Sequence, residues 1–168
     1  HLEDAFGLGA GERGLLVAVP AAASCLVAFN LGRIRGRGAL RSLLIVAGAA
    51  YVSAFAGVAA AGTVGLVAMA SMMHGLAEGL FIPSLQDAVA EAAPPERRGA
   101  VFAVWVGAAR LGQTIGPLLA GGALALTTTS GTFALGAGVA VLLLLVQVLG
   151  PVGRPSGEPA PAPAGAPR

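Results

Sequence analysis

Five stretches of this chain are apolar for long enough to cross a lipid bilayer, and this feature limits the possible folds more than any other. A membrane-spanning helix needs about 20 mostly apolar residues. The five stretches cover about 14–32, 42–61, 63–85, 100–124 and 132–149. Charged residues make up only 11% of the 168 residues, against about 25% in soluble domains. We therefore predict an all-α membrane protein with five transmembrane helices.

The rest of the composition excludes other classes of protein. Cys25 is the only cysteine, so an intramolecular disulfide is impossible. The net charge is +2 and all ten basic residues are Arg, a balance that we assign to membrane topology, with no nucleic-acid partner. Residues 1–13 read as a polar loop, and 151–168 as a disordered Pro/Ala-rich tail. The chain starts without an initiator Met or a signal pattern, and we expect it to begin within a longer protein.

The placement of Arg predicts the orientation of the spans. Basic loops are retained on the cytoplasmic side of a membrane. With five spans, the loops 33–41 and 86–99 and the tail lie on one side and hold eight of the ten Arg residues. We therefore expect residue 1 outside and the C-terminus in the cytoplasm. The Lys-free, Ala- and Gly-rich composition is typical of GC-rich bacterial genomes and favours a cell inner membrane.

Three ionisable residues lie inside the predicted spans: His74, Glu78 and Arg110. Such residues are costly in lipid and are candidates for transport or coupling. His74 and Glu78 share a helical face because they are four residues apart. Arg110 has a similar depth, and antiparallel helices would bring it against them as a counter-charge. Two interpretations stay open, since Glu78 and Arg110 either lock two helices together or couple transport, and His74 either packs or assists a proton.

An enzyme or a metalloprotein fits the sequence poorly. His74 and Glu78 supply two ligands, which do not complete a metal site. Ser71 lies one turn from His74, but no oxyanion donors are evident nearby. Tyr51, Trp105 and the Phe residues form no recognisable aromatic box. We therefore predict no enzyme activity, no metal and no cofactor.

Glycine and proline mark the third and fourth spans. Gly75 and Gly79, like Gly112 and Gly116, are spaced by four, which lets helices approach closely in lipid. Pro117 removes a backbone hydrogen bond and bends its helix, as a helix that moves during gating would require.

Two loops and one span together resemble a known family. The cytoplasmic loop motif includes Gly32, Arg37 and Arg41, and a second loop runs from Pro94-Pro95 to Arg97-Arg98-Gly99. The stretch 112–121 is similar to the Gly-x-x-x-Gly-Pro motif of proton-driven antiporters. In this order, the features resemble the C-terminal half of a major facilitator superfamily transporter, from its eighth to its twelfth helix.

The resemblance implies a fold and a function. The fold is part of a six-helix half-bundle, and the mechanism is alternating access between two such halves. The implied function is secondary active transport of a small organic solute, with proton-coupled efflux as the expected direction. The implied partners are the missing N-terminal six-helix half, the solute and membrane lipids. The alternative is a non-catalytic membrane subunit or half-transporter that needs a partner.

Overall fold

The computed structural model describes residues 6–36 and 40–150. Five long helices follow one another, and a single 3-10 turn, Pro95–Arg97, precedes the fourth. The described ranges contain no strand. The helices are α1 (Ala10–Arg35), α2 (Leu40–Ala59), α3 (Val64–Ala92), α4 (Arg98–Leu126) and α5 (Thr129–Leu149).

Local capping groups define where several helices begin. The Glu12 carboxylate accepts a hydrogen bond from the backbone N–H of Gly9, at 2.9 Å, and so holds the first turn of α1. Threonine hydroxyls cap two further helices: Thr63 accepts from the N–H of Leu66 at 3.3 Å, and Thr128 from that of Gly131 at 3.1 Å. A cap of this kind satisfies one of the free N–H groups of a first helical turn.

Each predicted span overlaps one helix, although the helices extend further than the apolar stretches. Helix α1 begins at Ala10, inside the segment 1–13 that was expected to be a loop, because Glu12 caps it. Helix α3 continues past 85 to Ala92, just before Pro94-Pro95. Residues 1–5 and the Pro/Ala-rich tail 151–168 lie outside the described residues.

Four of the five helices are long and apolar enough to cross a membrane: α1, α2, α3 and α5. Helix α4 is long enough, but Arg110, Gln113 and Thr114 interrupt its apolar sequence near the middle. The fifth transmembrane helix, α4, therefore stays a prediction, whereas the predicted all-α membrane fold is confirmed.

Four helices form the packed part of the structure. Helix α3 packs against α1 on one side and α2 on the other, and α2 also packs against α5. Helix α4 makes only sparse contacts with α3 and α5, and none of its described residues is buried. The bundle core consists mainly of small side chains such as Ala47, Ala54 and Ala77.

Glycines allow the closest helix contacts in this core. A Cβ on Gly75 would lie 2.1 Å from the carbonyl oxygen of Pro20, and one on Gly79 would lie 2.7 Å from that of Ser24. Both values are far below van der Waals contact, so α1 and α3 touch through their backbones. Small residues serve the same purpose in membrane helices generally.

Candidate functional site

His74 and Glu78 lie side by side, one turn apart, on α3. Both side chains are half-buried. Glu78 stands at the centre of the 29-residue helix, about 21 Å from either end at ~1.5 Å per residue. The site is therefore as far from both helix ends as α3 allows.

Aromatic side chains from α2 surround His74. The imidazole meets the ring of Tyr51 edge to face, at 5.5 Å between centroids, and the ring of Phe55 at 5.9 Å. Tyr51 also contacts Phe81, at 5.9 Å, and Phe55 contacts Phe133 of α5, at 6.4 Å. Three of these four pairs are edge to face, which is a favoured arrangement of aromatic rings. They hold the imidazole between two helices.

Two cavities flank the aromatic cluster, which consists of Tyr51, Phe55, Phe81 and Phe133. The first, of about 560 Å³, lies between α1, α2, α3 and α5 and reaches His74 and Ser71, with Arg13 also in its wall. The second, of about 760 Å³, lies between α4 and the bundle and is lined almost entirely by apolar side chains. Phe55 and Phe133 line both cavities. These two rings therefore form the wall between them.

The Glu78 carboxylate makes no ion pair with any residue in the ranges 6–36 and 40–150. The phenol of Tyr51 lies within range of its charge. Glu78 is thus an ionisable group in the middle of the bundle without a cationic partner among the described residues.

The structure does not bring Arg110 to Glu78, contrary to the arrangement expected from their equal depth. The Arg110 guanidinium is exposed and donates to Oε1 of Gln113, at 3.0 Å, on its own helix. The bundle-facing side of α4 is instead the one that carries Leu119 and Ala123, which line the second cavity. Equal depth therefore did not predict which way the side chain points, because the rotation of α4 about its axis sets that direction.

The two glycine pairs have different surroundings. Gly75 and Gly79 are buried where α3 meets the backbone of α1. At Gly112 and Gly116 an added Cβ would meet nothing within 4 Å in the described structure. Gly116 and the neighbouring Ala120 face the second cavity. Pro117 lies inside α4, which continues through it as one helix.

The residues of the loop motifs gather at the ends of the helices. Arg35, near the end of α1, forms an ion pair with Asp87 of α3, and Arg41 donates to the carbonyl oxygen of Val148 in the last turn of α5. A guanidinium at a helix C-terminus satisfies a free carbonyl and complements the helix dipole. These contacts join α1 to α3 and α2 to α5.

The remaining motif residues make fewer contacts. Arg97 and Arg98 are exposed at the start of α4, and Asp87 pairs with Arg35 rather than with either of them. A Cβ on Gly32 would meet nothing within 4 Å. Arg37 lies outside the described residues. Within those residues, no group of three His, Cys, Asp or Glu side chains is placed to hold a metal ion.

Sequence reasoning missed the aromatic cluster around His74. These rings form no recognisable pattern in the sequence because they come from three different helices. One local signal was present, since Tyr51 and Phe55 are four residues apart and so share a face of α2. Their pairing with Phe81 and Phe133 depends on tertiary packing and has no signature in the sequence.

Comparison with known families assigns the chain to one of them. The sequence model of the Major Facilitator Superfamily matches residues 1–167. The chain belongs to the major facilitator superfamily. No curated protein and no solved structure matches it. The major facilitator superfamily consists of membrane transporters, so this chain belongs to a class of multi-pass membrane transporters.

Proposed function

We propose that this chain forms part of a proton-coupled carrier that exports a small organic solute by alternating access. The observation that carries the proposal is the position of Glu78. This carboxylate is half-buried at the centre of α3, has no cationic partner in the described residues, and stands one turn from His74. An ionisable group in such a position is by default a functional one.

His74 is proposed to assist Glu78. The imidazole lines the first cavity, whereas Glu78 lies one turn further along the same helix. A neutral imidazole has one ring nitrogen that donates a proton and one that accepts, so it is suited to pass a proton between the cavity and the carboxylate. The edge-to-face contacts with Tyr51 and Phe55 keep the ring at that position.

A partner half is proposed from the surroundings of α4. None of the described residues of this helix is buried, and an added Cβ on Gly121, on the side of Arg110, would meet nothing within 4 Å. A helix that carries Arg110 and Gln113 in its middle cannot face lipid on that side without a large cost. We infer that a further six-helix unit lies opposite it, across the solute pathway. A native product far larger than the 16.3 kDa of this chain would support this inference. A native product of 16.3 kDa would instead support the alternative, a membrane subunit or half-transporter that needs a partner.

Orientation and direction belong to the same proposal. Arg35, Arg41, Arg97 and Arg98 stand at the ends of their helices, on the side assigned to the cytoplasm. Efflux is favoured by the likeness of the stretch 112–121 to the antiporter motif. The proposed location is a bacterial inner membrane.

The test uses the complete protein that contains this chain, in everted membrane vesicles. An imposed pH gradient, acidic inside, should drive uptake of at least one solute from a labelled panel of anionic, neutral and cationic metabolites. Glu78→Gln should abolish this uptake, because an amide cannot carry the proton. Dissipating the gradient should have the same effect.

Glu91→Gln is the matched control, since Glu91 lies exposed near the end of the same helix. It removes the same charge and should leave uptake intact. The proposal would be wrong if uptake survives in Glu78→Gln vesicles, or if no member of the panel responds to the gradient.

A further inference from the structure

We infer that the outward face of α4 lines the solute pathway and that Arg110 on it selects small organic anions, carboxylates in particular. The inference rests on the proposed transport function and adds a class of substrate to it. Its basis is a polar stripe on a helix that the bundle leaves uncovered.

The stripe consists of Arg110, Gln113 and Thr114, with Pro117 and Gly121 continuing it along the helix. At ~100° per residue these positions fall on one side of α4. Leu119, nine residues beyond Arg110, falls on the opposite side and lines the apolar second cavity. The structure therefore turns the apolar side of α4 towards the bundle and the polar stripe away from it.

The depth of the stripe excludes lipid as its permanent surroundings. Arg110 is the thirteenth residue of the 29-residue helix, about 18 Å from its start at ~1.5 Å per residue. A guanidinium at the middle of a bilayer is costly and faces a partner or a water-filled cavity. The stripe must therefore meet protein or water.

The polar groups of the stripe indicate that it faces water and a solute rather than a neighbouring helix that offers one carboxylate to Arg110. Gln113 accepts from Nη1 of Arg110, at 3.0 Å, and thereby orients the guanidinium. Thr114 donates to the backbone carbonyl of Arg110, also at 3.0 Å, and its hydroxyl oxygen still has lone pairs to accept with. An ion pair with a neighbouring helix would require only the guanidinium of Arg110. The three adjacent polar side chains of the stripe are instead typical of a hydrated surface.

The charge of the stripe determines the class of solute. Helix α4 carries no Asp or Glu within Arg98–Leu126, and Arg110 has no carboxylate partner among the residues that the structure describes. Its remaining N–H donors form a planar fork that matches a carboxylate in two parallel hydrogen bonds. Gly107, where an added Cβ would meet nothing within 4 Å, leaves room beside it.

The experiment measures thiol labelling in membranes that contain the complete protein. Thr114→Cys is introduced in a Cys25→Ser background and exposed to negatively charged sulfonatoethyl or positively charged trimethylammonioethyl methanethiosulfonate. Each rate is divided by that of the same reagent with a free thiol in solution. A positive charge about 7 Å away should then favour the negative reagent by about sevenfold, even at the dielectric constant of water.

Three variants identify Arg110 as the cause of that preference. Arg110→Gln should reduce the rate ratio to near unity, and Arg110→Lys should retain it. Glu91→Gln, near the end of α3, should leave it unchanged, because it removes a charge that lies outside the stripe.

Two results would overturn the inference. If neither reagent labels Thr114→Cys, the stripe is covered by protein or lipid. If both reagents label it equally in the presence of Arg110, the pathway does not select anions. A mixture of acetate, lactate, succinate and benzoate should also slow labelling relative to chloride of equal ionic strength, and a lack of protection would overturn the carboxylate assignment. Failure of the proton-driven uptake alone would instead contradict the proposed function, since labelling does not depend on it.

Discussion

Replacement of Gly75 by Ala should separate α1 from α3 and destabilise the bundle. The added Cβ would lie 2.1 Å from the carbonyl oxygen of Pro20 and 2.7 Å from its carbonyl carbon. Because ordinary contact begins near 3.4 Å, the two backbones must move apart by about 1 Å, and no flexible side chain can yield instead. Overpacking of this kind costs about 1–3 kcal/mol. Each kcal/mol lowers the midpoint of thermal unfolding by about 2–4 °C in a chain of about 150–250 residues, and by less in a longer protein.

The assay heats the complete protein in detergent and measures by gel filtration how much remains monodisperse. Gly65→Ala is the matched control, because Gly65 lies in the same helix and an added Cβ would meet only the Thr63 hydroxyl, at 4.0 Å. This control should be neutral or slightly stabilising, since Ala is the better helix former. An equal or higher midpoint for Gly75→Ala would refute the close approach of the two helices.

Two further predictions concern contacts between helices. Gln147 of α5 is 4% exposed and packs against Gly48, and neither polar atom of its amide has a partner in the described structure. Gln147→Met should therefore raise the stability by about 1–3 kcal/mol in the same assay. A fall in stability would show that the amide is hydrogen-bonded. In the Arg35–Asp87 ion pair, the Arg35 side chain is 31% exposed and the Asp87 side chain 42%. A double-mutant cycle with Arg35→Gln and Asp87→Asn should therefore give a coupling free energy of about 0.2–1 kcal/mol that decreases with salt. A larger, salt-independent coupling would contradict the exposed position of the pair.

Most of the fold could be predicted from the sequence because apolar length and turn residues determine it locally. Each of the five predicted stretches overlaps one helix, since about 20 apolar residues leave few alternatives. The exact ends were less predictable. Helix α1 begins early because the Glu12 side chain caps it, and this depends on one hydrogen bond rather than on hydropathy.

The candidate site could be predicted only in part. The shared face of His74 and Glu78 follows from their spacing, because a helix repeats every 3.6 residues. The partner of each group depends on how helices rotate about their axes, which no spacing within one helix reveals. Arg110 shows the consequence, since its depth matched that of Glu78 while its side chain points away from the bundle.

The central claim, that Glu78 couples solute movement to proton movement, is tested most directly by solute-induced proton flux. Vesicles that contain the complete protein and an internal pH-sensitive dye are given the solute identified by the uptake panel, with no gradient imposed. The wild-type protein should move protons in the direction opposite to the solute, and Glu78→Gln should exchange labelled for unlabelled solute without any proton signal. A proton signal that persists in Glu78→Gln would contradict the assignment of Glu78 as the coupling group.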